Sequence, residues 1–245
     1  MMKSQTEASR ALTLYGAFQF DLAEYGADEP QRAAARARGE LLTPIIKGWC
    51  TEIGNEVAAI GVQVHGGMGF IEETGAAQYM RDVRITTIYE GTTGIQSNDL
   101  IGRKLARDRG VAMNALLADM AQELDALATK DATVEAVRRA ALEGVSLLGR
   151  ATRSLLGALA SQPERALAVS VPYLKLCGYV TGGWLLAKSA VIAATRVDGP
   201  ERDFYTAKIH TAAFYAAQVL PAAAGLTQVV EAGGASVIAT DAALL

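Results

Sequence analysis

Apolar residues recur at helical spacing from the start of the chain. Ala8, Leu12, Tyr15, Phe18, Leu22 and Tyr25 fall on one face, with Lys3, Glu7 and Arg10 opposite, which predicts a first amphipathic helix. Residues 26 to 39 are polar, hold Pro30 and a run of Arg and Ala, and read as a loop or a frayed helix. Thr43 followed by Pro44 reads as a helix start, because a threonine hydroxyl caps free amides and proline tolerates the first turn. Ile46, Trp49, Ile53, Val57, Ile60 and Val64 then repeat at helical period as far as Gly66. Residues 41 to 64 are therefore predicted as one helix. The β-branched run at residues 84 to 89 leaves two readings open, an extended piece or a shaped loop between helices.

Beyond Gly110 the pattern is helical throughout. Met113, Leu116, Leu117, Met120, Leu124 and Leu127 form one stripe, and Val134, Val137, Ala141, Val145, Leu148, Leu155 and Leu159 another. Pro163, Pro172 and the Asp198, Gly199, Pro200 trio punctuate further helices, and Pro221 should kink or end the last long one. The fold class read from this pattern is all-α, in two parts divided near Gly110: residues 1–110, and a second helical bundle over 111–245. Composition agrees, since 51% of residues are hydrophobic and only 6% aromatic, so the core is built from Ala, Leu, Val and Ile. Residues 173 to 195 are apolar enough to resemble a membrane span. Lys175 and Lys188 interrupt them, and Gly178, Gly182 and Gly183 suit close helix packing, so a buried helix is expected and no membrane span.

A formal charge of −3 argues against a protein that binds by neutralising nucleic-acid phosphates. Cys50 and Cys177 form neither a disulfide framework nor a metal-ligand spacing; no metal is expected, and a cytoplasmic location is the expectation. Charges in the first dozen residues leave no continuous apolar stretch for a secretion signal.

Two segments place glycines where backbone contact, not helix formation, needs them. In residues 63 to 70, QVHGGMGF, Gly66, Gly67 and Gly69 let the main chain turn and approach an anionic or polar group. The dinucleotide fingerprint is not met, because Glu72 stands where its third glycine belongs and no strand precedes it. In residues 88 to 96, IYEGTTGIQ, Glu90 lies between an apolar pair and a flexible turn. From this segment alone Glu90 reads first as a solvated loop acid; the other reading is a partly desolvated carboxylate, which would be a better base, with its backbone amide free. His65 is read as a packing or hydrogen-bonding residue, and Arg81 with Asp82 as a local ion pair or loop anchor. Arg103, Lys104, Arg107 and Arg109 read as a solvated helix end.

Taken together, Gln63, Gly66, Gly67, Gly69 and Phe70, then Arg81 and Asp82, then Ile88, Tyr89, Glu90, Gly91 and Thr92 resemble the C-terminal signature of the acyl-CoA dehydrogenase family. The resemblance covers residues 1–110. The fuller strings GVQVHGGMGFIEETGAAQ and LLTPIIKGWC resemble a subgroup with an added C-terminal helical extension, which includes enzymes acting on 3-(methylthio)propanoyl-CoA. Residues 111–245 would be that extension.

The resemblance implies an FAD-dependent oxidation of an acyl-CoA to the trans-2-enoyl-CoA. Glu90 would remove the α-proton while a hydride leaves the β-carbon for flavin, and Tyr89 and Gly91 would line the substrate. Gln63, Val64, His65, Gly66 and Gly67, with Thr92, Thr93 and Gly94, would contact FAD, partly across a subunit interface. The thioester carbonyl would be held by the Glu90 amide and a flavin ribityl hydroxyl. The family further implies a homo-oligomer, dimer or tetramer, and an electron-transferring flavoprotein as acceptor. Its members carry an N-terminal helical domain and a β-domain before the matched region, so the chain is expected to need those parts for activity. A second reading stands beside this one: a non-catalytic helical assembly module that keeps the signature but lacks a complete flavin site.

Overall fold

The computed structural model describes residues 1 to 241 and residue 243, and among them every regular element is helical. Helix α1 (Met2–Tyr25) ends where the Gly26 amide closes on the Leu22 carbonyl at 2.9 Å. Its inward face is rotated from the predicted one: Ser4, Gln5, Ala8, Leu12, Gly16, Gln19 and Ala23 are buried, whereas Phe18 and Tyr25 are 53% and 79% exposed. The cause is close packing against α2. A Cβ at Gly16 would collide with the Ile46 side chain, so small and polar residues face the neighbouring helix and bulky ones are turned out.

Helix α2 (Glu29–Val64) runs for 36 residues and starts well before the predicted Thr43. Asp28 caps it, accepting from the Gln31 amide at 2.8 Å, and Pro30 sits in the first turn where no amide partner is needed. The Arg and Ala run at 32 to 38 is good helix-forming sequence and continues it. Pro44 therefore lies inside a helix, buried, flanked by Leu41, Leu42 and Ile45 in the core; their burial offsets the one lost hydrogen bond.

After α2 come short 3₁₀ turns at Gly66–Gly69 and Glu72–Thr74, then α3 (Ala76–Arg84). Residues 85 to 87 are a further 3₁₀ turn and not an extended piece: the Ile88 and Tyr89 amides both close on the Ile85 carbonyl, and the Thr86 and Thr87 hydroxyls bond back to Val83 and Arg84. Helix α4 (Thr93–Asp99) passes through a π-helical turn, Leu100–Leu105, into α5 (Ala106–Asp108).

The remaining helices are α6 (Val111–Ala126), α7 (Ala132–Ser161), α8 (Pro163–Ala168), α9 (Ser170–Ala194), α10 (Arg202–Gln218), α11 (Ala222–Ala232) and α12 (Ala235–Ala239). The stripes predicted for α6 and α7 face inward, with Leu117, Leu127 and Leu159 half-buried at their edges. Pro163 opens α8, Pro172 lies in the first turn of α9, and Pro221 separates α10 from α11.

Helix α9 is the hub. It packs on α1, α2, α4, α7, α10 and α11, so one continuous core runs from Ala8 to Val230. The Trp49 indole occupies the space a Cβ at Gly178 would fill, so the ring from α2 rests directly on the backbone of α9. By length and composition, Ser170–Ala194 and Arg202–Ala232 are apolar enough to cross a membrane. The apolar window of the first is 78% buried within the protein, and the second is broken at Pro221.

Candidate functional site

The candidate site is organised by one face of α2. At 100° per residue, Lys47, Thr51, Asn55 and Val62 lie within an arc of about 80°. Asn55 Nδ2 donates to the Val83 carbonyl at 3.3 Å, and Lys47 Nζ donates to the carbonyls of Thr86 and Gly91 at 2.9 and 2.6 Å. Beside them Glu52 Oε1 accepts from the Thr93 hydroxyl at 2.6 Å. The segment bearing Glu90 is thus strapped to the helix at four points.

Glu90 itself sits on an exposed turn with φ +53°, followed by Gly91 at φ +92°. A left-handed conformation costs a non-glycine residue on the order of 1–3 kcal/mol and persists only where the surroundings over-determine it. Here the Gln96 side-chain amide holds the Glu90 carbonyl at 3.0 Å while Lys47 holds that of Gly91. The Glu90 amide has no acceptor among the described residues, so a free donor lies beside the carboxylate. Tyr89 is 53% exposed, with the Lys47 ammonium 5.8 Å from its ring centre. Glu90 is exposed, which matches the solvated reading of its segment and not the partly desolvated one.

Thr92 caps α4, its hydroxyl accepting from the Ile95 amide at 3.3 Å, and the Gly94 carbonyl accepts from Ser97. The hydroxyls of Thr92 and Thr93 are thus already engaged within the chain, which leaves backbone as the main means by which residues 92 to 94 would meet a cofactor.

The glycine loop begins where α2 ends. His65 Nδ1 lies 2.9 Å from the Gly61 carbonyl, a local capping bond consistent with a structural histidine, and Gln63, Val64 and His65 are exposed. Gly66 has φ +59°, and a Cβ at Gly66 or Gly67 would meet no atom within 4 Å, so this backbone faces open space. Gly69 is buried against the Val62 carbonyl, where no side chain fits. The loop therefore shares α2's site-bearing face, but Lys47 and Val62 are roughly 22 Å apart along the axis. The two halves of the signature are brought to one face and not into one pocket.

Two grooves lie along that stretch. One, of about 1000 Å³, is lined by Asn55, Val62, Phe70, Ile71, Met80 and Arg84; the other, of about 450 Å³, by Val57, Ala58, His65 and Tyr79 among others. Arg81 pairs with Glu72 at 3.3 Å and not with Asp82, because α3 turns it back toward the 3₁₀ turn before it. In the basic stretch, Lys104 and Arg107 converge on Glu40, at 3.8 and 2.8 Å, and tie the π-helical turn to α2; Arg103, paired with Asp99, and the exposed Arg109 at the end of α5 resemble the expected solvated end.

Lys47, Glu52, Asn55 and Gln96 were not singled out by motif. The available signal was the polar series Lys47, Thr51, Asn55, spaced by four and set apart from the apolar stripe of the same helix.

Two family models match in order: residues 2–106 match the acyl-CoA dehydrogenase C-terminal domain, and residues 114–241 a region described as acetyl-CoA dehydrogenase C-terminal like. The chain is 44% identical over 220 residues to 3-methylmercaptopropionyl-CoA dehydrogenase of Ruegeria pomeroyi, covering 89% of this chain and 37% of that protein. Among solved structures, Caenorhabditis elegans ACDH-11 in complex with C11-CoA superposes with TM-score 0.70 at 22% identity, over 89% of this chain and 35% of that one. A Bacillus anthracis acyl-CoA dehydrogenase complexed with FAD gives 0.62 at 16% identity, over 94% and 40%. The chain thus spans well under half the length of these relatives. With both halves matched in order, and the glycine loop and the Glu90 turn seated on one face of α2, the chain belongs to the acyl-CoA dehydrogenase family, in the region of its C-terminal helical domains.

Proposed function

We propose that this chain supplies the catalytic base and part of the cofactor-binding surface of an FAD-dependent acyl-CoA dehydrogenase, with residues 1–110 carrying the site and 111–245 buttressing it. The observation that carries this reading is Glu90: a carboxylate on a strained turn, strapped to α2 and exposed beside an amide that has no acceptor among the described residues. Such a turn presents a base and a hydrogen-bond donor together. Glu90 takes the α-proton of an acyl-CoA thioester. Its amide donates to the thioester carbonyl and stabilises the negative charge that develops as the proton leaves. Tyr89 and Gly91 flank the acyl chain.

The residues present fit FAD at the glycine loop, since Gly66 and Gly67 leave their backbone open to close approach by an anionic group. Gln63, Val64, His65, Gly66 and Gly67 would hold it there, with Thr92, Thr93 and Gly94 contributing backbone. When bound, FAD accepts the β-hydride, so that loss of proton and hydride leaves a trans-2-enoyl thioester. The ~22 Å along α2 between the two segments suits either an extended cofactor or contributions from two copies of the chain. A homo-oligomer and an electron-transferring flavoprotein as acceptor complete the proposal.

The test is Glu90→Gln in the flavin-loaded full-length enzyme, which keeps shape and turn but removes the base. Flavin bleaching by acyl-CoA, followed by stopped flow, is expected to slow by at least ~10²–10⁴-fold with flavin retained. Bleaching at the parent rate would refute Glu90 as base. Absence of bound flavin from the parent protein would favour the assembly-module reading.

A further inference from the structure

We infer that Lys47 is a positioning residue for this site: by clamping the carbonyls of Thr86 and Gly91 with one ammonium, it holds Glu90 in its left-handed conformation and so aims the carboxylate. This rests on the reading of Glu90 as the base.

An ammonium has three donors and no acceptor. Two of them go to carbonyls five residues apart in sequence, at 2.9 and 2.6 Å, and close the segment holding Ile88, Tyr89 and Glu90 into a loop around a single cation. Charge-assisted bonds of this length are stronger than neutral ones. The Glu90 carbonyl is held separately by Gln96 at 3.0 Å. Pinning two consecutive carbonyls sets both peptide planes around Gly91, which leaves the backbone of Glu90 and Gly91 little freedom.

The clamp is mounted on rigid structure. The next two residues of α2 are wedged against α9, Gly48 on Leu174 and Trp49 on Gly178, and both are buried. Lys47 therefore transmits the position of the core to the turn. Arginine keeps donors too, but its longer, planar guanidinium fixes their directions, so it would meet the two carbonyls only with a shift of the turn.

The experiment compares Lys47→Arg, Lys47→Gln, Lys47→Met and Glu90→Gln in the flavin-loaded full-length enzyme. Flavin reduction at saturating acyl-CoA is measured separately from the substrate Kd, and amide hydrogen exchange at residues 86 to 93 is followed in each variant's 245-residue chain. Displacing a reacting group by about 1 Å costs up to ~10²-fold in rate, so Lys47→Met is expected to slow reduction ~10–100-fold. Kd should stay within about threefold, with faster exchange confined to the turn; Arg and Gln should fall between, because each retains a donor.

Reduction at the parent rate in the lysine variants, with Glu90→Gln slow, would overturn the role of Lys47 and leave the base in place. Exchange rising across the whole chain, with rate and Kd lost together, would show ordinary fold support and overturn it as well. An active Glu90→Gln removes the base reading and this inference with it. Should Lys47→Met not fold, the order of Lys, Arg and Gln decides the matter alone: equal rates refute the clamp.

Discussion

Helix α9 and residues 64 to 95 are both rich in apolar side chains and glycine, and the fold treats them in opposite ways. In α9, Tyr173, Leu174, Leu176, Cys177 and Trp184 are fully buried, and among its large apolar side chains only Ile192 is more than half exposed. In the other segment Phe70, Tyr79 and Val64 are 82%, 76% and 74% exposed, with Met68, Ile85 and Ile88 near half. Glycine shows the same contrast. Gly178 is there so that the Trp49 ring can occupy its missing side chain, whereas Gly66 and Gly67 have nothing near them. One region is filled by the chain itself. The other presents apolar surface and open backbone with few neighbours in the chain, free to meet a ligand or another chain.

The sharpest way to break that contrast is to damage each region in the same currency, stability. Trp49→Ala removes a fully buried indole at the α2–α9 crossing and should destabilise by ~3–5 kcal/mol, read as a lower urea midpoint with unchanged slope. Gly67→Ala adds a methyl where nothing lies within 4 Å and the φ is not left-handed, so it should stay within about 0.5 kcal/mol of the parent. A comparable loss at Gly67 would mean the glycine loop is packed after all.

A smaller effect is expected with pH. Burial pushes the Tyr173 and Tyr215 phenols and the Cys177 thiol well above their ordinary values, so each is neutral in the folded chain. In the unfolded chain they lose protons from about pH 8.5 for the thiol and 10 for the phenols. Above those values the unfolded state binds fewer protons than the folded one, so stability is full below about pH 8 and falls as pH rises. Thermal melts from pH 7 to 10.5 should show this loss, and Cys177→Ala should delay its onset.

The acid limb has the opposite sign. Hydrogen bonds from Arg138 and Arg139 hold Glu135 down to about 2, and Arg107 and Arg150 lower Glu40 and Glu231. Their contribution is present above the ordinary carboxyl range and lost as pH falls through it. These pairs lie at the surface, where solvent and salt screen them, so this limb should be shallow and flatten further in 0.5 M salt.

How much of this was legible in the sequence depends on what the signal was made of. The stripes of α6 and α7, the buried α9 with its glycines, and the signature residues were readable because each is a local pattern of residue type. The face of α1 was misread because that helix packs through Ser4, Gly16 and Gln19, whose burial is set by the neighbour and not by their own hydropathy. The start of α2 was misread because Thr43–Pro44 imitates a helix start, while Asp28, which does the capping, and Pro30 in the first turn precede a stretch too polar to draw attention. Lys47 and Gln96 were invisible for a different reason: their role depends on carbonyl groups 39 to 44 and 6 residues away in sequence, and backbone acceptors carry no residue code.

The smallest stability effect is the most informative about the exposed region. Phe70 lies 82% exposed on the groove beside Val62 and Met80, and Tyr79 is 76% exposed on the neighbouring groove. Phe70→Ser should leave the urea midpoint within the ~0.5 kcal/mol expected of a surface change, since it removes little buried area and creates no cavity. Solubility should rise, because a large apolar side chain is removed from water. If this face is covered by another copy of the chain, sedimentation of the parent should show self-association that Phe70→Ser, and more so Phe70→Ser with Tyr79→Ser, weakens. A parent that stays strictly monomeric at micromolar concentration would remove the second copy as the covering partner and leave a ligand or a different chain. A loss of stability at Phe70 as large as that at Trp49 would break the comparison itself, since it would show that the exposed side chain is already supporting the fold.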